Sequence, residues 1–179
     1  DSTGDGTNAI PLTNLNSLVF NNFDTSIAEN FGDMFCGASK LTTLDLSNWN
    51  VSKAKATYLM FYSCSSLTTL NLPEFTSVTS LNQMFYNCTS LKTLDLSRFN
   101  TSNAGSLYGL FLSCSNLQSI NLSGWDTSNV TNMSYMFDGC LSLTNLDLSS
   151  FNTSKVTTMR NMFTRCSSLV NVNISSFNT

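Results

Sequence analysis

Apolar residues return at fixed offsets along almost the whole chain. In "LTNLDLS" (residues 143–149), Leu143, Leu146 and Leu148 are interleaved with polar residues, and this alternation predicts a short half-buried strand. Ahead of it, Val130, Met133, Met136, Phe137 and Cys140 are spaced by 3, 3, 1 and 3, which predicts one face of a short helix. Between the preceding strand and that helix lies "WDTSN", whose Asp, Thr and Ser suit a turn and an N-cap. Gly139 suits a helix end. Each unit is therefore expected to run strand, turn, short helix and return. The apolar columns form the core, and the Ser, Thr and Asn columns form turns and surface.

The pattern recurs. The Phe of each "MF" pair or its counterpart falls at Phe35, Phe61, Phe85, Phe111, Phe137 and Phe163, with steps of 26, 24, 26, 26 and 26. A fixed period of this length is the mark of a solenoid. The short step has a local origin. "LPEFTSVTSLNQMF" lacks two residues present in "LSRFNTSNAGSLYGLF", between the aromatic and the next apolar position, which places a surface turn there. No unit this short can bury its own apolar residues, so each must cover its neighbour. Parallel strands joined by a helix are expected to cross over right-handedly, and six or seven of them, ~4.8 Å apart, should form one sheet. The fold class expected is an α/β repeat: a right-handed solenoid with one short parallel strand and one short helix per unit. Residues 1–14 are assigned to an N-terminal extension or cap. Residues 15–179 are assigned to six units plus a terminal partial unit.

The strand segment L-x-x-L-x-L matches the leucine-rich-repeat consensus, and "LDLSSFNTSKVTTMRNMFTRCSSL" (residues 146–169) closely resembles the BspA-like leucine-rich repeats. The resemblance extends over about residues 15–179. It implies a curved leucine-rich-repeat solenoid, a cell-surface or secreted location, and adhesion to host proteins or other cells. It names no ligand. One column departs from ordinary leucine-rich repeats. Three residues after the last strand Leu stands an aromatic rather than Asn or Cys: Phe23, Trp49, Phe75, Phe99, Trp125, Phe151 and Phe177. A ladder of stacked rings is expected there.

Outward strand positions define a candidate binding face of three rows. The middle row alternates acid and amide without exception: Asp45, Asn71, Asp95, Asn121, Asp147 and Asn173. With strands ~4.8 Å apart, successive carboxylates stand ~10 Å apart and their repulsion in water is small. The row reads either as a solvated ladder that avoids like charge or as a polar ligand-binding face. Calcium is disfavoured because it wants several oxygens at one point. The flanking rows are Thr43, Thr69, Thr93, Ser119, Asn145 and Asn171 on one side, and Ser47, Pro73, Ser97, Ser123, Ser149 and Ser175 on the other. These residues are small and uncharged, which suits hydrogen bonding to a protein or a glycan and equally suits solubility.

Cys64, Cys88, Cys114, Cys140 and Cys166 share one column, while Ala38 fills that slot in the first unit and Cys36 is displaced by two places. Ala in the slot argues for a small buried site. Reduced core thiols are the first reading. Adjacent-turn disulfides remain open, although five in a column cannot all pair. Zinc is disfavoured by the lack of a C-x-x-C and of any His. Met and Phe of the predicted helix are read as core. Tyr62 and Tyr86, with the less regular Tyr58, Tyr108 and Tyr135, are candidates for a partly exposed aromatic patch. N-x-S/T sequons at Asn50, Asn100 and Asn152 share a turn column and are the favoured glycosylation candidates. The plainer reading of that column is an Asx turn.

Composition narrows the function. Only 11% of residues are charged against 41% hydrophobic, so polarity comes from neutral Ser, Thr and Asn, a balance commoner on secreted and cell-surface repeats. The formal net charge is −3 and the eight Lys and Arg are scattered, which argues against nucleic-acid binding. No stretch approaches the roughly 20 apolar residues of a membrane span. His is absent, no nucleophile or acid stands out from its column, and there is no Gly-rich phosphate loop, so neither an enzyme nor a cofactor is expected. The expected role is an extracellular or cell-surface adhesion module that recognises a protein or glycan on another cell or matrix. The alternative is a structural protein whose copies associate end to end into a filament or surface layer.

Overall fold

A computed structural model describes residues 11–178; most of the expected N-terminal extension lies outside the described residues. Six three-residue strands punctuate the chain: β1 (Thr43–Asp45), β2 (Thr69–Asn71), β3 (Thr93–Asp95), β4 (Ser119–Asn121), β5 (Asn145–Asp147) and β6 (Asn171–Asn173). In each strand the central residue points inward and the outer two are exposed. Each strand belongs to one coil of the stack. Coil 1 carries Phe35 and β1, coil 2 Phe61 and β2, and so on to coil 6 with Phe163 and β6. All strand pairings are parallel and in register, Asp45 opposite Asn71, Asp95 opposite Asn121, and Asp147 opposite Asn173.

The expected single sheet is instead three two-stranded sheets, β1–β2, β3–β4 and β5–β6. The expected helix is also absent: among the described residues there is none. The segment read as helical is a run of overlapping turns in which alternate N–H groups serve two ends. In coil 5, the N–H groups of Met136, Asp138 and Cys140 donate to carbonyls three residues back, at Met133, Tyr135 and Phe137. The N–H groups of Tyr135, Phe137 and Gly139 leave the coil and donate to the carbonyls of Arg160, Met162 and Thr164 in coil 6, at 2.8–3.0 Å. An α-helix would keep those bonds to itself, and its ~10 Å width would splay coils whose Phe rings here stack 5.4–6.0 Å apart. The wide outer wall that a helix per unit would build is therefore missing.

The turn run requires left-handed backbone twice per coil, four residues apart. Coil 5 uses Tyr135 and Gly139 (φ 60° and 77°), coil 2 uses Leu59 and Ser63 (54° and 57°), and coil 6 uses Asn161 and Arg165 (55° and 60°). A non-glycine residue there costs ~1–2 kcal/mol, which the bonds to the neighbouring coil must offset.

The core is one spine. Phe35, Phe61, Phe85, Phe111, Phe137 and Phe163 stack in sequence, with centroid separations of 5.7, 5.5, 5.7, 5.4 and 6.0 Å and interplanar angles of 4–19°. Around them the Leu, Met and Val columns are buried. The aromatic turn column stacks less evenly than expected. Trp125 lies parallel to Phe151 (6.3 Å, 2°), whereas Phe75 with Phe99 and Phe23 with Trp49 are tilted.

One polar column was misassigned to the surface. Thr25, Thr101, Thr127 and Thr153 are buried. Their hydroxyls donate to the carbonyls of Asn50, Asp126, Asn152 and Asn178 in the next coil, at 2.9–3.1 Å. Burial of a hydroxyl is tolerated because every one of them is bonded.

Candidate binding face

The strands carry the candidate face as the alternation requires. Thr43, Asp45, Ser47, Thr69, Asn71, Thr93, Asp95, Ser119, Asn121, Ser123, Asn145, Asp147, Ser149, Asn171, Asn173 and Ser175 are exposed, and Ser97 is half-buried. Pro73 is the exception: it is buried and does not join the face. Every Asp or Asn of the middle row except Asn71 anchors a turn. Asp45, Asp95, Asn121, Asp147 and Asn173 accept, through Oδ1, the N–H of the Ser two residues on, at 2.9–3.2 Å. Pro73 has no N–H to offer Asn71.

The carboxylates do not simply alternate with amides. Each stands in register opposite the Asn of the following strand in the same two-stranded sheet. Asp45 is held below the usual carboxylate range by the Ser47 hydroxyl first, then the Ser47 N–H and the Asn71 side chain. Asp147 is held low in the same order by Ser149 and Asn173. For Asp95 the Ser97 N–H leads, then the Ser97 hydroxyl, with Asn121 contributing less. All three stay ionised at neutral pH.

Between the sheets the face is indented. One shallow cleft between β4 and β5 is lined by Ile120, Asn121, Leu122, Ser123, Gly124, Asp147 and two Ser residues. Another runs from Ile120 across β5 and β6. A third lies beside β1, formed by Leu18, Val19, Phe20, Asp45, Asn48 and Trp49. Their chemistry is the same: one carboxylate, amide or hydroxyl neighbours, and an aliphatic or aromatic floor. The strand centres alternate accordingly. Leu44, Leu94 and Leu146 are buried, whereas Leu70, Ile120 and Val172 are half-exposed.

The other candidate positions resolve as follows. All six cysteines are unpaired. The thiols of Cys64, Cys88, Cys114, Cys140 and Cys166 donate to the carbonyls of Phe35, Phe61, Phe85, Phe111 and Phe137 in the preceding coil, at 3.0–3.3 Å. Burial pushes Cys64 and Cys114 up to about 12 and raises Cys88 and Cys140 well above the ordinary thiol value, so these thiols are poor nucleophiles. Ala38 takes the slot in coil 1 and is buried. Among the described residues no cluster of His, Cys, Asp or Glu is arranged to hold a metal ion.

Asn50, Asn100 and Asn152 are exposed, and each closes an Asx turn onto Ser52, Ser102 or Ser154. The five Tyr are half-buried. Tyr62 meets Tyr86 edge-on at 4.8 Å, Tyr108 meets Tyr135 edge-on at 5.7 Å, and the Arg160 guanidinium lies 5.8 Å from the Tyr135 ring.

A family model described as "Mycoplasma protein of unknown function, DUF285" matches residues 11–93 and again 79–179. No curated protein matches the chain. Among solved structures, a leucine-rich repeat protein from Bacteroides ovatus is similar over 82% of this chain and 46% of that one, at 18% identity and a TM-score of 0.32. The chain thus spans about half the length of that structure.

Proposed function

We propose, starting from the fact that this chain belongs to the DUF285 family, that it is an extracellular or cell-surface binding module that recognises a protein or glycan through its polar strand face. The observation that supports this reading is the threefold recurrence of an ionised Asp in register with an Asn on an exposed face of small hydroxyl and amide side chains. A face with mixed donors and acceptors and few long flexible side chains loses little rotamer entropy on binding. Three equivalent positions also let weak contacts add by avidity. The reading is of a binder rather than an enzyme. The resemblance to BspA-like adhesins points the same way.

Replacing Asp45, Asp95 and Asp147 with Lys tests the reading. Binding to cells or matrix should fall at least roughly tenfold, because like-for-opposite charge replacement disrupts complementarity. Binding that survives while the fold is intact would move the site off this face.

End-to-end association is the second reading. It is favoured by the apolar surface of coil 6, where Val170 is 78% exposed and Phe163, Leu169, Val172 and Phe177 are only partly covered. A following repeat would cover the same surface. Light scattering on dilute protein separates the two readings, since a stable monomer removes the second.

A further inference from the structure

The front and rear of this stack are built differently. At the rear, hydrogen bonds pass from every coil to the next, from Phe31 N–H to Ala56 C=O through Thr57 to Ser80, Gln83 to Tyr108, Leu107 to Asn132 and Met133 to Thr158. At the front, the strands are hydrogen-bonded only in pairs, and β2 is not bonded to β3, nor β4 to β5. The N–H of Thr69 donates to Thr42 and that of Leu46 to the carbonyl of Asn71, so Thr69 and Asn71 face β1. The intervening Leu70 faces the other way, into the gap before β3. Ile120 is placed equivalently before β5.

Independent features share this two-coil period. The Asp–Asn couples fall inside the pairs. Tyr62 meets Tyr86 between coils 2 and 3, and Tyr108 meets Tyr135 between coils 4 and 5, one ring pair behind each seam. The second left-handed position reads Gly37, Asn87 and Gly139 in odd coils but Ser63, Ser113 and Arg165 in even ones.

We infer that the molecule is a hinged row of three rigid two-coil cassettes, whose front wall opens and closes at the β2/β3 and β4/β5 seams while the rear ladder holds. Parting two strands within a cassette breaks a ladder of backbone bonds. Parting them at a seam breaks no backbone bond along the strands; it exposes more of Leu70 or Ile120 and, at the first seam, stretches the exposed Arg98–Glu74 ion pair of 2.7 Å. Each seam is still tied at its turn end, by the Asn100 N–H to the Phe75 carbonyl at 2.8 Å and by the Thr127 hydroxyl to the Asn152 carbonyl at 2.9 Å. The opening is therefore a splay of the strands and not a separation of coils. It would alter the spacing between successive Asp–Asn couples, yet it stands whether or not that face binds anything.

Two NMR measurements on the intact chain decide this. Amides of Leu70 and Ile120 should exchange with solvent at least roughly tenfold faster than those of Leu46, Thr69, Leu96 and Ser119. Methyl relaxation dispersion should show microsecond-to-millisecond exchange at Leu70 and Ile120 and none at Leu44, Leu94 and Leu146. Flat dispersion at Leu70 and Ile120, or equal protection of both sets of amides, overturns the hinge.

Discussion

The ring of Tyr58 occupies the space where Gly32 would carry a side chain: a Cβ built on Gly32 would lie 2.5 Å from Cζ and under 3 Å from both Cε atoms. Gly32 is therefore required for contact between coils 1 and 2, not for its backbone conformation. Gly32→Ala should displace the ring and destabilise the protein by about 1–3 kcal/mol, the usual scale for overpacking. Adding Tyr58→Ala should recover part of that loss, measured by thermal or denaturant melts. A Gly32→Ala variant as stable as the parent would contradict the packing.

The phenylalanine spine predicts a graded cost. Phe85 is fully buried and stacked on both sides, by Phe61 and Phe111. Phe85→Ala should cost about 3–5 kcal/mol. Phe163 is only partly buried and has the Phe137 ring on one side, so Phe163→Ala should cost clearly less. Equal losses in urea melts would mean that the columns do not share one spine.

The thiol column should be chemically silent. At pH 8, iodoacetamide should leave Cys64, Cys88, Cys114 and Cys140 unmodified in the folded protein and label all of them in denaturant, as read by mass spectrometry. Their folded-state values lie above the ordinary 9.0. The stability they contribute is thus whole below about pH 9 and drains away as pH rises through the folded values. Melting temperature should decline above pH 9, and less steeply in a Cys88→Ala, Cys114→Ala double variant. Rapid native labelling of these four would refute the assignment.

Acid should act through the turns. Asp24, Asp45, Asp95, Asp126 and Asp147 all sit below their ordinary 3.8, each chiefly because of hydrogen bonds from the Ser two residues on. A depressed carboxylate stabilises the fold above its unfolded value and loses that contribution as pH falls through the folded one. Melting temperature should hold steady from pH 7 to 5 and drop below about pH 4. Asp→Asn replacement at Asp45, Asp95 and Asp147 should flatten the drop, and an unchanged acid limb would exclude these groups.

Much of this architecture is legible in the chain before any coordinates. The 26-residue step places the Phe column, and the stack of six rings follows it. The short strands fall where Leu44, Leu94 and Leu146 predict them. The helix fails for a specific reason: Val130, Met133, Met136, Phe137 and Cys140 share one buried side, but a run of tight turns also puts them there. The warning was present in Gly37, Gly109, Gly139 and Asn87, residues that favour left-handed backbone and recur inside the segment at positions no helix interior prefers. Burial of Thr101 and Thr127 was hidden because a Thr that bonds the next coil looks, in one dimension, like any turn Thr. The acid–amide alternation was visible, but nothing in a single column tells a row of equal neighbours from a row of couples.

The pairing of strands two by two gives the molecule a parity. Excising coil 3 alone would leave β2, still paired with β1, beside β4, whose partner has gone, and would bring Asn71 against Asn121. Excising coils 3 and 4 together would set β2 against β5 and recreate a junction the parent already contains. The second shortened chain should melt as a cooperative unit and the first should not, so an array of this kind can change length cleanly only by even numbers.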